Sequence, residues 1–422
     1  MTRAGNRDRG VVVTGLGALT PVGANAADSW QSLLDARSGV RTLYEEREGG
    51  GERDGGGEGP ADLPVRIGGP VTADPVEVLG RVPARKLDRG EQLAVVAARE
   101  AFQDAGRPAV EPERLAVVVG TGIGGVLSTL GQNDLYQRSG SRKLSSYAVP
   151  MLMPNGPAAW VSIDLGARAG ARSPASACAS GAESIALALD LIRLDRADVV
   201  VAGGTEACLH PFMLAAFAQM KALSRQQGDP AAVSRPFDAA RSGFVMSEGA
   251  AVLVLERAEF ARARGARVYG AVAGAAVNSS AGHISASDTE GQIRAIREAL
   301  RDARLEPGDV GLVHAHATST PGGDLAEAEA VAKALGDHPV VTATKSMTGH
   351  MLGASGAFGA LSALLALHHG VVPATLNLDE PDPRVRLDVV GGTNRTGRWD
   401  AALANSFGFG GHNVSLVLTR TA

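Results

Sequence analysis

Cysteine is nearly absent: the 422-residue chain has two, Cys178 and Cys208. Two thiols cannot build a disulfide framework, and without a CxxC pair or a His/Cys cluster at ligand spacing no metal site is expected. A reducing, cytoplasmic setting fits best. An excess of one charge is also missing, since 41 Lys and Arg face 45 Asp and Glu for a net −4. That balance argues against nucleic acid or an anionic membrane as partner. No uncharged apolar run reaches the ~18–20 residues of a spanning helix. The longest, Met351–Leu367, is rich in Gly and Ala and reads as a buried helix. Met1–Gly10 is polar and leads into the strand-like Val11–Thr14 with no basic leader before an apolar stretch, so no export signal is expected.

What is present is an ordinary globular composition, 45% apolar and 20% charged, in a chain long enough for two domains or one large duplicated unit. β-Branched runs at Val11–Thr14, Leu115–Val119, Val199–Ala202 and Val310–His314 alternate with Ala/Leu-rich helical stretches such as Gln92–Ala105 and Ser184–Leu194. The alternation predicts an α/β fold with buried sheets. Glu45–Pro60, "EEREGGGERDGGGEGP", holds only Gly, Pro and charged residues and is expected to be a mobile surface insertion. Ala179–Leu189, "ASGAESIALAL", matches Ala354–Leu364, "ASGAFGALSAL", at more than half its positions. Two related halves meeting around two buried helices are therefore expected, with the boundary at the charged stretch Glu256–Arg267: an N-terminal half over 1–258 and a C-terminal half over 259–422.

Four stretches could carry chemistry. In "SPASACASGAESIALALDLIR", Ser173–Arg193, Cys178 sits among small residues at the expected start of a helix, where the dipole and unpaired N–H groups favour thiolate. The competing reading is an inert buried thiol, which is also the reading for Cys208. "VHAHATSTPGGD", Val313–Asp324, places His314 and His316 on one face of a strand with His316 at its exit. "TATKSMTGHMLGASG", Thr342–Gly356, holds Lys345 and His350 ahead of the repeated helix. "NSFGFGGHNVSLVL", Asn405–Leu418, is a glycine-rich turn whose N–H groups could receive an oxyanion. Singly, each is better explained by packing than by catalysis. One Cys and two His in small-residue turns together suggest nucleophilic acyl transfer.

Over nearly its whole length the chain resembles the β-ketoacyl-acyl-carrier-protein synthases of the elongating (synthase II) type, the ketosynthases of dissociated fatty-acid and polyketide systems. The match runs through "VVVTGLGALTPVG", "GTGIGG", "MPNGPAAWVSIDLGARAG", "ACASGA", "VVVAGGTEA", "HATSTPGGD", "TKSMTGH" and "NSFGFGGHN". Residue usage and the "GFGGHN" ending look like actinobacterial members. The resemblance implies a thiolase-like fold, two halves stacked as five α-β-α-β-α layers. It implies Cys178 as acyl-accepting nucleophile, His316 and His350 as catalytic histidines and Lys345 as the lysine beside them. Phe409 matches the aromatic that gates the site and whose N–H, with that of Cys178, forms the oxyanion hole; Thr318 and Thr320 match the pair that binds pantetheine. No metal or cofactor is implied, because substrates arrive on the phosphopantetheine of acyl-carrier protein. Arg85, Lys86 and Arg89, with Arg142 and Lys143, stand where similar enzymes dock that carrier. The assembly implied is a homodimer, or a heterodimer with a chain-length-factor homologue.

Two departures bear on substrate and pathway. Gly359 stands where the family often has an acid nine residues after the second histidine, and Ser247 stands where glycine is usual. A non-catalytic carrier-binding subunit would ordinarily lack the cysteine, which is present. A thiolase would carry a second cysteine near "GFGGHN", which is absent, and the paired histidines argue against a Cys/His protease.

Overall fold

A computed structural model describes residues 10–45, 60 and 62–421, so the Gly/acid-rich insertion lies, apart from its ends, outside the described residues. Among the described residues the first half supplies five strands to the large sheet: β1 (Val11–Leu19), β2 (Leu115–Gly120), β3 (Ala171–Arg172), β4 (Val199–Glu206) and β5 (Gly249–Arg257). The second supplies β6 (Gly270–Ser279), β7 (Leu312–His314), β8 (Val340–Thr342), β9 (Ala401–Gly408) and β10 (His412–Thr419). In space the first half runs β1-β5-β4-β2-β3 and the second β6-β10-β9-β7-β8, the same order in both, with a further two-residue strand, Asp388–Val389, added beside β8 at the edge of the second. The senses agree as well: β2 and β4 are parallel, as are β7 and β9, while the last strand of each half is antiparallel to both its neighbours. The two sheets join where β1 meets β6, at Val12↔Ala271 and Val13↔Gly270.

The helices repeat with the strands. α1 (Arg89–Asp104), α2 (Gly156–Leu165) and α3 (Ser180–Arg193) correspond in order to α4 (Thr289–Ala303), α5 (Pro321–Leu335) and α6 (Ser355–His369). α3 and α6 touch both sheets and form the central layer; α1 and α2 cover one outer face, α4 and α5 the other. This is the five-layer arrangement. Its sequence cause is visible along each strand, because alternate side chains serve different cores. In β5, Ala251, Leu253 and Leu255 enter the central core while Ala250, Val252 and Val254 enter the outer one. Strands buried on both faces must be apolar at every position, hence the continuous runs.

α3 and α6 approach closely because they cross on glycines at matching positions. A Cβ on Gly181 would lie 2.8 Å from the Gly353 carbonyl oxygen, and one on Gly356 would lie 2.8 Å from the Ala182 nitrogen. Leu352–His369 is long and apolar enough to cross a membrane, yet 89% of it is buried inside the protein, so it is a core helix. α1 begins three residues earlier than the apolar pattern predicts. Asp88 accepts from the Gly90 N–H while Glu91 accepts from the Asp88 N–H, a capping box that sets the start.

Candidate active site

Each central helix is preceded by a one-turn 3-10 segment, Ala177–Ala179 before α3 and Leu352–Ala354 before α6. Both segments open on a non-glycine residue in the left-handed region, Ala177 at φ 51° and Leu352 at φ 40°. Such backbone is costly and persists where surroundings impose it. Here the sharp turn presents Cys178 to the floor of a cavity of about 660 Å³, whose lining includes His316, His350, Thr318, Thr320 and Phe409. The backbone N–H groups of Phe409 and of Cys178 itself lie close enough to the sulfur to favour its anion. The Ser406 hydroxyl donates to the Cys178 carbonyl at 2.9 Å and holds the turn against β9.

The two histidines stand edge to face, ring centres 5.5 Å apart at 85°. His316 follows β7, and its backbone is clamped from two sides. Its N–H donates to Glu327 at 2.8 Å, and the Lys345 ammonium donates to its carbonyl at 2.5 Å. Glu327, in α5, also accepts from the Ala317 N–H and the Asn405 amide. His350 is anchored by its N–H to the Val245 carbonyl and by Nδ1 to the Ser355 hydroxyl, both contacts 2.7–2.9 Å long. Burial holds both imidazoles well below the ordinary histidine range, and the nearby Lys345 charge adds to that, so both are neutral. The same burial lowers Lys345 to about 8, opposed by Glu327.

The structure corrects the expectation that the helix start makes Cys178 a resting thiolate. Burial raises the thiol to about 12, outweighing the Lys345 charge and the two N–H donors that favour the anion. At neutral pH the group is therefore a thiol, and the thiolate fraction grows with pH throughout the working range. Alkylation of Cys178 by iodoacetamide is accordingly expected to accelerate about tenfold per pH unit from 7 to 9 without levelling off. A plateau below pH 8 would show a thiol of lowered pKa. Cys208 is fully buried beside Met246 and does not reach the cavity, in line with an inert thiol.

Thr318 and Thr320 are brought together, hydroxyls 3.1 Å apart on the cavity wall. The basic residues divide. Arg85, Lys86, Arg142 and Lys143 are exposed, and the Lys86 ammonium lies 5.5 Å from the centre of the Tyr147 ring, which links the two clusters. Arg89 differs from these four: it is half-buried and forms a bidentate pair with the buried Glu248, at 2.6 and 2.7 Å, which takes up two of its five N–H donors. Ser247 packs against Gly349, with its hydroxyl oxygen 2.1 Å from where a Cβ on that glycine would be, and its N–H donates to the His350 carbonyl.

Three site residues escaped the sequence reading. Glu206 ends β4 and accepts from the Thr121 hydroxyl and the N–H groups of Gly122 and Gly353, tying the "GTGIGG" loop of one half to the His350 turn of the other. Glu327 and Ser355 are the others. A lone acid in an otherwise buried run, as at Glu206 and Glu327, is the signal that could have found them.

Comparison with known proteins agrees with this geometry. Residues 8–261 match the model of the beta-ketoacyl synthase N-terminal domain and 269–379 that of the C-terminal domain. The chain is 42% identical over 418 residues to the 3-oxoacyl-[acyl-carrier-protein] synthase 2 of Mycobacterium tuberculosis, covering 97% of each. Among solved structures it is similar to the ishigamide ketosynthase/chain length factor, with TM-score 0.88 and 31% identity over 98% of this chain and 100% of that one. It is also similar to a type II polyketide-synthase ketosynthase in complex with its acyl-carrier protein, with TM-score 0.87 and 30% identity at the same coverage. A duplicated five-layer fold, a cysteine on a strained turn at the start of a central helix and two neutral histidines lining the same cavity are thus joined to full-length similarity: the chain belongs to the β-ketoacyl synthase family.

Proposed function

We propose that this protein is an elongating ketosynthase that condenses malonyl-acyl-carrier protein with an acyl group held on Cys178, extending the chain by two carbons. The observation that carries the reading is that Cys178 and two neutral imidazoles, themselves ring to ring, line one cavity, with the backbone N–H groups of Cys178 and Phe409 placed to favour a negative charge there. In the first half-reaction the Cys178 sulfur attacks the acyl thioester carbonyl. Its N–H and that of Phe409 receive the oxyanion, and the carrier departs as a thiol carrying the proton that Cys178 gives up. In the second, malonyl-carrier loses CO₂, and the electron pair of the broken C–C bond becomes an enolate whose oxygen takes hydrogen bonds from His316 and His350. That carbanion attacks the acyl-Cys178 carbonyl, a C–C bond forms, the C–S bond breaks with its electron pair returning to the sulfur, which takes a proton from solvent to restore the thiol, and the β-ketoacyl-carrier leaves. Lys345 and Glu327 hold His316 in place, and Thr318 and Thr320 bind the pantetheine arm. The nucleophile belongs to the half over 1–258 and the histidines to the half over 259–422, a division supported by the repeated strand order.

Mass spectrometry of Cys178 after incubation with a panel of acyl-carrier proteins tests the reading: acyl adducts on that residue are expected, and their absence with every carrier would overturn it. A specialised variant, in which the partner is a chain-length-factor homologue, is favoured by the similarity to the ishigamide ketosynthase/chain length factor. Sedimentation of the protein alone separates the two, since a homodimer forms without help.

The carrier is an acidic partner for the exposed face around Arg85, Lys86, Arg142 and Lys143. Reversing Lys86 and Arg142 to Glu is expected to raise KM for acyl-carrier substrates by about tenfold, more at low salt than at high. Acylation by a small pantetheine thioester should not change. Equal losses with both substrates would place the damage in the site, and no loss with either would put docking elsewhere.

A further inference from the structure

His350 has two ring nitrogens with different surroundings. Nδ1 is 2.9 Å from the Ser355 hydroxyl, whereas Nε2 is buried without a hydrogen-bond partner in a residue that lines the cavity. Ser355 opens α6, and its counterpart at the start of α3 is Ser180. There the hydroxyl closes its own turn, donating to the Ala177 carbonyl at 2.7 Å and accepting from the Ser176 N–H at 3.0 Å. Ser355 makes no such bond. Its hydroxyl turns to the imidazole, so one position in two related halves does two different jobs.

Proton bookkeeping decides the direction of that bond. If Nδ1 carried the ring proton it would donate to Ser355, leaving the hydroxyl proton without an acceptor and the Nε2 lone pair facing a thioester oxygen that is itself an acceptor. If Ser355 donates to Nδ1, the hydroxyl is satisfied and the proton sits on Nε2, the ring nitrogen that has no partner in a residue lining the cavity. Within this pair the donor left unfilled is then the one a substrate oxygen would take. We propose that Ser355 is a positioning residue that locks His350 in the Nε2–H tautomer needed for the enolate-forming step. The inference rests on the reading of His350 as a donor to the malonyl thioester oxygen. Burial, which keeps the ring neutral, makes the choice of tautomer consequential.

The test compares the wild type with Ser355→Ala and Ser355→Thr, using ¹⁵N-histidine labelling to read the His350 tautomer and steady-state kinetics to read the reaction. In Ser355→Ala the His350 signals should shift to a mixture of Nδ1–H and Nε2–H forms. Condensation kcat should fall about 10- to 100-fold, with KM for malonyl-carrier and the rate of Cys178 acylation unchanged. Ser355→Thr, which keeps the hydroxyl, should restore both signal and rate. A purely structural role would lower kcat without moving the tautomer. A wild-type Nε2–H signal in Ser355→Ala, or an unchanged kcat, overturns the proposal. The tautomer readout needs no turnover, so it stays distinct from failure of the underlying reading, which would appear as normal condensation by His350→Ala.

Discussion

Cys178→Ala is expected to lower condensation by about 10⁴-fold or more while malonyl-carrier decarboxylation survives, because the thiol serves only acyl transfer and the imidazoles serve the enolate. The side chain removed is small and 9% exposed, and the N–H groups around it belong to the backbone, so the fold and the oxyanion site persist. Release of CO₂ from malonyl-carrier without β-ketoacyl product is the signature. Product formation by this variant would sink the assignment of the nucleophile. His316→Ala and His350→Ala should show the converse, with Cys178 still acylated and condensation down by about 10²–10³-fold each. Acylation stays because thiol-for-thiol exchange returns its proton to the departing carrier. Loss of acylation in both variants would show that the histidines also serve the first half-reaction.

Gly359→Glu, which would install the acid often found at this position in the family, should destabilise the protein by about 3 kcal/mol or more. A Cβ on Gly359 would lie 2.9 Å from His314 Nδ1 and 3.0 Å from its Cε1. The His314 ring is 2% exposed and pinned by Nε2 to the Thr344 hydroxyl at 2.9 Å, so it cannot step aside cheaply. Burial lowers its pKa to about 3, so at neutral pH it is an uncharged imidazole and offers an added carboxylate no ion pair. The missing acid is therefore part of an adapted packing arrangement, in which His314 occupies the space a side chain at 359 would need. His314→Ala with Gly359→Glu should regain part of the loss, a coupling visible in a urea-unfolding double-mutant cycle. A single Gly359→Glu variant as stable as the wild type would refute the packing argument.

The chemistry around Cys178 was legible because it is written in contiguous segments. A cysteine among small residues before an Ala-rich helix, one histidine at a strand exit, another ahead of the repeated helix and a repeated "ASGA" all declare themselves within a dozen residues, and strands buried on both faces must be apolar throughout. Strand ends were less legible. β1 and β4 run several residues past the β-branched stretch, through glycines that propensity reads as breaks but that close packing requires: a Cβ on Gly203 would lie 2.0 Å from the Ala251 carbonyl oxygen.

Thus the sequence by itself determined the α/β class, the two related halves and the identity of Cys178, His316 and His350 as candidates, since each depends on local order and periodicity. Only the tertiary structure decided their charge states and supports. The Cys178 thiol is protonated because elements far apart in the chain exclude water from it, a desolvation that overrides the local pull of the helix start. Arg89 is taken by Glu248, His316 is clamped by Glu327, His350 is met by Ser355 across the turn into α6, and His314 fills the space over Gly359. Such pairings depend on distances of a few ångströms between side chains that the fold brings together, and neither residue type nor spacing encodes them.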